Sequence, residues 1–390
     1  MQKIRNSMKL RTTIKLGTSI SILLLCLAMG YYAFIKIDMA ERSRDFNLYS
    51  LIPDDCEAIL ESNDINAFLN DYPMLNYSNE LDRFHLESDF HYILSQLNEY
   101  SMLNGHGLSN RMSHMVMSFH KPSTSTDQVI YLRSGSHDEL MIKDMLQEYA
   151  PVNFLPKTME YRGKEIEIFP MGDSEFLASY SGKGFLAMSH QIRLIEKVID
   201  AQLDGTSLAK DDAFEQIIEK KKKKNFFTLY GRGASMPFLH MDATCWSEYD
   251  FHMNSDVVYL TGATFMPENA SIDLNSIHEK ISQMASVNED SLLISIHKDS
   301  TIQVSNQAFE QRENGERALF NECVANLSHE ADFTLVTDMQ KVVEHPEQYR
   351  DYLPSFMLNN AFLFRPFILS AQLTTNNGEL SHMWVFTYKD

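Results

Sequence analysis

The chain of 390 residues is 44% apolar and 22% charged, and its formal net charge is −19. This apolar content suffices for one large domain or two average ones, and the charge content argues against a disordered chain. The first fifteen residues hold five basic and no acidic side chains, so the rest has 29 basic against 53 acidic residues, a net charge of −24. Such a surface repels phosphate backbones, which argues against nucleic acid as a partner.

An uncharged apolar segment follows the basic N-terminus. LGTSISILLLCLAMGYYAFI lies between Lys15 and Lys36, and about twenty helical residues span the roughly 30 Å hydrocarbon core of a bilayer. The basic residues before it indicate a cytoplasmic N-terminus. The sequence therefore predicts a cytoplasmic tail over 1–15, a transmembrane anchor over 16–36 and a juxtamembrane linker over 37–47.

Two alternatives keep the export of the chain but change its anchor. Ala28-Met29-Gly30 has the small-x-small pattern of a signal-peptide cleavage site, although the apolar run continues beyond it. Cys26 could carry a lipid, but the leucines before it lack the small residue that processing needs. In each case we expect the bulk of the chain to be exported.

Three cysteines follow the apolar segment, at positions 56, 245 and 323. They are far apart and form no CxxC pair, which argues against a thioredoxin-like or zinc-ribbon motif. One disulfide would leave one thiol over. We favour three buried thiols.

The first half of the chain mixes strands and amphipathic helices. A short strand is predicted near Ala58, then a helix, then strands in MVMSFHK and QVIYLRS. DELMIKDMLQEY predicts a helix with an inward stripe that includes Leu140. EFLASYSGKGFLAMS predicts a hairpin whose turn is Ser181-Gly182-Lys183-Gly184. QIRLIEKVIDAQL predicts a helix that turns Ile192, Ile195, Ile199 and Leu203 to the core.

Five consecutive lysines, Lys220 to Lys224, stand out in this acidic chain. They follow DDAFEQIIEK, a predicted helix in which Asp212 and Glu215 have capping-box spacing. Cations at the end of a helix offset the negative end of its dipole. We therefore interpret the run as a solvated last turn, with Asn225 as the C-cap, rather than as a binding patch.

The second half continues the mixture and ends in a hairpin around Asn376-Asn377-Gly378. Segments near both ends of the chain share a loose strand-Asp-helix-Tyr-Pro order. The predicted fold class is α+β: an N-terminal transmembrane helix, then a mixed ectodomain of antiparallel hairpins and packing helices. Two similar modules, 48–224 and 225–390, are the predicted organisation of that ectodomain.

A resemblance to a known family rests on three stretches. They are IPDDCEAILESND, then FLASYSGKGFLAMSHQIRLIEKVIDAQLDGTSLAKDDAFEQI with its Ser207-Leu208 and Asp212-Ala213-Phe214, and WSEYDFHMNSDVVYLTGATF. Over 51–265 the chain resembles the bacterial domain-of-unknown-function family 3352 (DUF3352). The resemblance implies a membrane-anchored envelope protein, which we expect at the bacterial inner membrane with its N-terminus cytoplasmic and the bulk of the chain periplasmic. It carries over no catalytic residue, because the family has none established.

Motifs for metal and nucleotide chemistry are incomplete. His278-Glu279 and His329-Glu330 begin like HExxH, but Ser282 and Phe333 stand where the second histidine belongs. Gly182-Lys183-Gly184 lacks the rest of a phosphate loop, and Gly231-Arg232-Gly233 lacks the third glycine and the helix of a dinucleotide site.

The remaining candidates are weaker. His85, Glu87, Asp89 and His91 are clustered, but only His85 and Asp89 would share a helical face. GxSxG is absent, so no nucleophile elbow is visible. We therefore predict no catalytic, cofactor-binding or metal-binding residue and no cofactor.

These observations favour a non-catalytic, single-pass membrane-anchored protein that binds or scaffolds an envelope protein outside the cytoplasm. Two alternatives remain. One is an extracytoplasmic hydrolase whose site is assembled from distant residues, and the other is an envelope ligand or stress sensor that signals through its tail.

Overall fold

The computed structural model describes residues 29, 46–63, 74–77, 114–121, 126–149, 156–171, 176–220, 227–241, 244–266, 273–283, 287–289, 292–296, 314–328, 331–376 and 379–389. The predicted tail, anchor and most of the linker, residues 1–45, lie outside this part of the chain except for Met29. Of the helices described, none is both long and apolar enough to cross a membrane.

The described strands form one sheet of 15 antiparallel strands. Their bounds are β1 Ala58–Ser62, β2 Met115–Phe119, β3 Gln128–Arg133, β4 Lys157–Tyr161, β5 Lys164–Pro170, β6 Phe176–Gly182, β7 Phe185–Ser189, β8 Phe227–Arg232, β9 Trp246–Met253, β10 Val257–Phe265, β11 Val287–Glu289, β12 Leu292–Ile296, β13 Phe333–Asp338, β14 Phe367–Asn376 and β15 Glu379–Tyr388.

Short helices cover the sheet. Within the described residues they are α1 Ser136–Tyr149, α2 Ile192–Asp204, α3 Asp212–Lys220, α4 Leu274–Gln283, α5 Asn314–Ala325, α6 Met339–Glu344 and α7 Ser355–Asn359. Five 3-10 turns, at Leu48–Leu51, Leu208–Lys210, Pro237–Leu239, Pro346–Tyr349 and Ala361–Phe364, lie between these elements.

The predicted fold class is wrong. The described chain is mostly one large antiparallel sheet with few helices, not a transmembrane helix followed by a mixed α+β ectodomain. Single hairpins and helices were visible as local patterns, but a continuous sheet arises from pairing between distant strands. Examples are Tyr131↔Ala187 between β3 and β7, and Leu260↔Trp384 between β10 and β15.

The strand order repeats outward from the centre of the sheet. From the β1–β8 pair, one side runs β1-β2-β3-β7-β6-β5-β4 and the other runs β8-β9-β10-β15-β14-β13-β12-β11. In each half, the first three strands therefore form a meander. The third strand of the meander pairs with the last strand of that half, β3 with β7 and β10 with β15. The sheet continues through Ile59↔Tyr230 and Leu60↔Leu229, so the module limits 48–224 and 225–390 stay a prediction.

The sheet has two faces, here named by the residues of β1. Face A carries Ile59, and face B carries Leu60. In the first half, α2 and α3 pack on face A against Val116 and Tyr131, and α1 packs on face B. In the second half, α6, α7 and the 3-10 turns after Met236 cover face B around Trp384, whereas α5 packs on face A beside β14.

Local signals predicted several elements correctly. The hairpin β6–β7 turns at Gly182 to Gly184, where Gly184 has φ 100°. The hairpin β14–β15 closes at Asn376↔Glu379. Cys56, Cys245 and Cys323 are buried thiols that form no disulfide, which confirms the favoured interpretation.

Some helical details were wrong. Leu140 of α1 is 61% exposed, and Leu203 of α2 is also exposed, because the buried stripe of α2 runs through Leu194 and Val198. Asp211, not Asp212, caps α3, since its Oδ1 accepts from the amides of residues 213 and 214 at 3.1 Å. α3 ends at Lys220, and residues 221–226 lie outside the described chain.

Candidate functional site

A buried polar group on face A holds the residue types of nucleophilic chemistry. Ser118 lies on β2 and His120 directly after it, so their side chains point to the same face. Ser118 Oγ lies 2.8 Å from His120 Nε2 and 3.1 Å from the hydroxyl of Tyr131 on β3. We call Asp55, Cys56, Ser118, His120 and Tyr131 the Ser118 cluster.

The third member of a catalytic arrangement, an acid that orients the histidine, is only loosely placed. Asp55 Oδ1 lies 3.9 Å from His120 Nδ1, beyond hydrogen-bond distance. Asp55 Oδ2 accepts instead from Lys197 Nζ of α2 at 2.5 Å. Burial lowers the pKa of His120 to about 4, so the imidazole is neutral near pH 7.

The thiol in the Ser118 cluster is unreactive as it stands. Burial raises the pKa of Cys56 to about 12, although the Arg232 guanidinium opposes that shift. Because the thiolate is the nucleophile, a thiol held this strongly protonated does not attack.

A hydroxyl, a neutral base and a nearby carboxylate are the parts of a serine hydrolase. Burial of both side chains argues against hydrolysis at this site in this structure, because Ser118 is 0% and His120 is 2% exposed. No substrate carbonyl can approach the hydroxyl without moving the cover of face A. This cluster was not predicted from the sequence, since Asp55 and Ser118 are far apart in the chain. The S-x-H spacing on a strand was the one local signal.

A second polar group lies at the centre of the sheet. Glu61 of β1 is 7% exposed, and its Oε2 accepts from the Tyr230 hydroxyl of β8 at 3.0 Å. Tyr49 also bonds this carboxylate, and His114 Nε2 lies 3.7 Å from its Oε1. Burial first, and then the charge of Glu61, raise the pKa of both tyrosines.

This arrangement is the one that a buried carboxylate needs. A buried charge is costly unless several donors bond it. Tyr49 and Tyr230 stay protonated and so remain donors. They tie the turn at Leu48–Leu51 and β8 to β1.

Gly231-Arg232-Gly233 has a structural use. Arg232 donates to the carbonyl oxygens of Cys56 (Nε, 3.0 Å) and Asp54, and its guanidinium lies 4.5 Å from the centre of the Trp246 ring. Trp246 Nε1 in turn donates to Asp211 Oδ2 at 3.1 Å. A Cβ on Gly231 would lie 2.6 Å from the Phe356 ring. These contacts join β8, β9 and the start of α3.

Part of face A in the second half is open. Along β15, residues alternate between buried and partly exposed, as in a sheet with one covered face. The partly exposed residues share face A with Tyr259 of β10, which is 36% exposed. We call this surface the open face; its residues are Val257, Tyr259, Thr261, Met383 and Val385.

The candidate metal ligands from the sequence form no ligand group in the part of the chain that the structure describes. The described residues contain no group of three or more His, Cys, Asp or Glu side chains placed to hold a metal ion. His278 and Glu279 lie on α4. The cluster His85, Glu87, Asp89, His91 and the pair His329-Glu330 lie outside the described chain.

Comparison with known proteins gives little. No family model matches the chain, and no curated protein matches it. Two solved structures, crystal forms III and I of TP0453, are 9% identical with TM-scores of 0.31 and 0.26. They cover 65% and 64% of this chain and 91% and 90% of their own. At these scores the likeness carries no argument about fold or function.

Proposed function

We propose that this protein is a non-catalytic binding or scaffolding protein of the bacterial envelope. Its acidic bulk lies outside the cytoplasm, and residues 16–36 hold it at the inner membrane. The partner is another envelope protein, not nucleic acid. Family resemblance to DUF3352 belongs to the same proposal and rests on the sequence stretches alone.

The placement rests on charge and hydropathy. Five basic residues precede the uncharged segment, and the chain beyond residue 15 carries a net charge of −24. Basic residues that flank a membrane span stay in the cytoplasm, which gives this orientation. Residues 16–35 contribute to it by their length and lack of charge.

The binding function rests on one contrast in burial: the hydroxyl and imidazole of the Ser118 cluster are buried, whereas the open face is partly exposed. Ser118 and His120 are buried on face A, whereas Tyr259 on the same face is partly exposed. Accessible apolar surface on a folded protein is typical of interaction sites. A sealed hydroxyl–imidazole pair is typical of a structural hydrogen-bond network.

The test compares the proteins that are recovered with the wild-type chain and with a variant that lacks the Ser118 hydroxyl. Intact cells are briefly crosslinked, and the full chain is purified from membranes as wild type and as Ser118→Ala. We expect the same envelope proteins with both. Failure to enrich any envelope protein over an unrelated membrane protein contradicts binding, and recovery that depends on Ser118 contradicts the non-catalytic assignment.

A hydrolase is the second candidate, favoured by the 2.8 Å contact between Ser118 Oγ and His120 Nε2. It requires the cover of face A to open. The full chain is treated with a fluorophosphonate probe, which reacts with activated serines. Labelling at Ser118 that is lost in His120→Gln supports a hydrolase, and the absence of labelling on the folded chain contradicts it.

A further inference from the structure

The first half of α2 is held on face A by two ion pairs. Lys197 Nζ donates to Asp55 Oδ2, in the turn before β1, over 2.5 Å. Arg193 Nη2 donates to Asp127 Oδ1, just before β3, over 3.3 Å. The charged side of this helix therefore contributes to its position, in addition to the apolar side that packs on the sheet.

His120 lies against the same two acids. Its Nδ1 is 3.9 Å from Asp55 Oδ1, and its backbone N–H donates to the carbonyl oxygen of Asp127 at 2.9 Å. Among the described residues, Nδ1 has no hydrogen-bond partner, and the side chain is 2% exposed. The imidazole is thus next to the contacts that hold α2 but takes no part in them.

The charged groups around the imidazole come from four segments. Asp55 and Glu57 precede or begin the approach to β1, Asp127 precedes β3, and Lys197 lies on α2. Lys121, after the end of β2, lies 3.4 Å from Glu57 Oε1. Each of the three acids therefore already has a cation as its partner while the imidazole is neutral.

A proton on His120 places a second cation beside Asp55. The imidazolium is attracted by Asp55 and repelled by Lys197, so the two cations compete for one carboxylate. Burial disfavours the charged ring and lowers the pKa of His120 to about 4, whereas the pKa of a histidine in water is about 6.5. The closed arrangement therefore binds the proton less readily than one in which the ring reaches water.

We infer that the first half of α2 is a pH-sensitive cover of face A, which moves away from Asp55 and Asp127 when His120 is protonated. Opening exposes apolar side chains of the helix, among them Leu194 and Ile195, which are buried in the closed form. The inference goes beyond the proposed binding function and does not depend on it, since the cover would open in the same way in a catalytic chain.

The size of the effect follows from the two pKa values of His120. Because the open form has the higher pKa, it takes up the proton first as the pH falls, and acid therefore favours opening. With a pKa of about 6.5 in the open form and about 4 in the closed form, the ratio of open to closed α2 rises about twentyfold between pH 7 and pH 5.

Hydrogen exchange of the full chain, purified from membranes, measures this ratio at both pH values once the rates are corrected for intrinsic exchange. Peptides from 192–199 report on the cover, and peptides from β14 report on unfolding of the whole sheet. We expect the opening of α2 to rise about twentyfold, while the amides of β14 exchange more slowly than those of α2 at both pH values. In His120→Gln, the opening of α2 should stay within twofold between the two pH values.

His382→Gln is the matched control. His382 is also buried, and burial also lowers its pKa to about 4, but it lies on β15 in the other half of the sheet. Its replacement should leave the twentyfold response of α2 unchanged. The inference is contradicted if α2 and β14 exchange together, which would mean that α2 opens only with the whole sheet, or if His120→Gln keeps the twentyfold response.

A second pair of variants tests the ion pair without altering the buried ring, so it remains decisive even if His120→Gln does not fold. Lys197→Gln removes the contact with Asp55 and should raise the opening of α2 at pH 7 about two- to threefold. Lys143→Gln removes a similar ion pair, with Glu167 at 2.9 Å from α1, and should leave the opening of α2 unchanged. Equal opening in the two lysine variants would overturn the inference.

Discussion

His382 of β15 donates from Nε2 to the backbone carbonyl of Glu248 on β9, over a distance of 2.8 Å. The strand between them, β10, places Gly262 opposite His382. The β9–β10 ladder stops after Thr261↔Asp250 and resumes at Thr264↔Ser247. The imidazole therefore bonds Glu248 where this ladder is interrupted, and it reaches that carbonyl because Gly262 has no side chain.

Gly262→Ala should be strongly destabilising. The new Cβ would lie 1.8 Å from Glu248 O, against backbone rather than a flexible side chain. Overpacking of this kind costs about 3 kcal/mol or more. The measurement is chemical denaturation of the full chain.

Gly163→Ala is the matched control, because φ is +75° there but no atom lies within 4 Å of the added Cβ. Its cost should be about 1 kcal/mol, from backbone strain alone. Equal losses in the two variants would contradict the close approach at Gly262.

Stability should fall as the solution is acidified from pH 6.5 to 4. Burial lowers the pKa of both His120 and His382 to about 4, whereas an unfolded histidine has a pKa of about 6.5. The unfolded chain therefore binds protons first as the pH falls. Each histidine contributes stability that is present above about pH 6.5 and is lost as the pH falls through the folded value, by about 3 kcal/mol.

The pH dependence is separated from that of the carboxylates by substitution. Denaturation at pH 7, 5.5 and 4.5 is compared for the wild type, His120→Gln and His382→Gln. Each variant should lose less stability on acidification than the wild type does. Identical pH dependence in all three proteins would contradict neutral buried histidines.

Tyr230→Phe should cost about 1–3 kcal/mol, because the buried carboxylate of Glu61 loses a donor. Tyr259→Phe makes the same chemical change on an exposed ring and should stay within about 0.5 kcal/mol. Urea denaturation of both variants at pH 7 provides the comparison. A neutral Tyr230→Phe would show that Glu61 does not depend on this bond.

The sequence predicted the features that depend on residues close to each other in the chain. The turn at Gly184 and the hairpin at Asn376 follow from local backbone preferences, and the amphipathic helices follow from their apolar spacing. The side of a helix that is buried was less certain, as Leu140 and Leu203 demonstrate, because a stripe on a short helix is broad enough to be rotated by packing.

The sheet and the polar clusters were not predictable in the same way. β1 pairs with β8, although 169 residues separate Glu61 of β1 from Tyr230 of β8. No local sequence pattern predicts that pairing. Glu61 and Tyr230 become neighbours only through it, and Asp55 and His120 become neighbours through the pairing of β1 with β2. Ser118 and His120 share a face because they are two residues apart, but only the pairing of β2 with β3 places the Tyr131 hydroxyl beside Ser118.

The most direct measurement of the central claim, a binding protein outside the cytoplasm, is protease accessibility in spheroplasts. Protease is added to intact spheroplasts, and an epitope after Asp390 and a known cytoplasmic protein are followed together. We predict that the epitope and the folded chain are digested while the cytoplasmic protein survives. An epitope that stays protected until the spheroplasts are lysed would contradict the extracytoplasmic placement and, with it, the proposed role in the envelope.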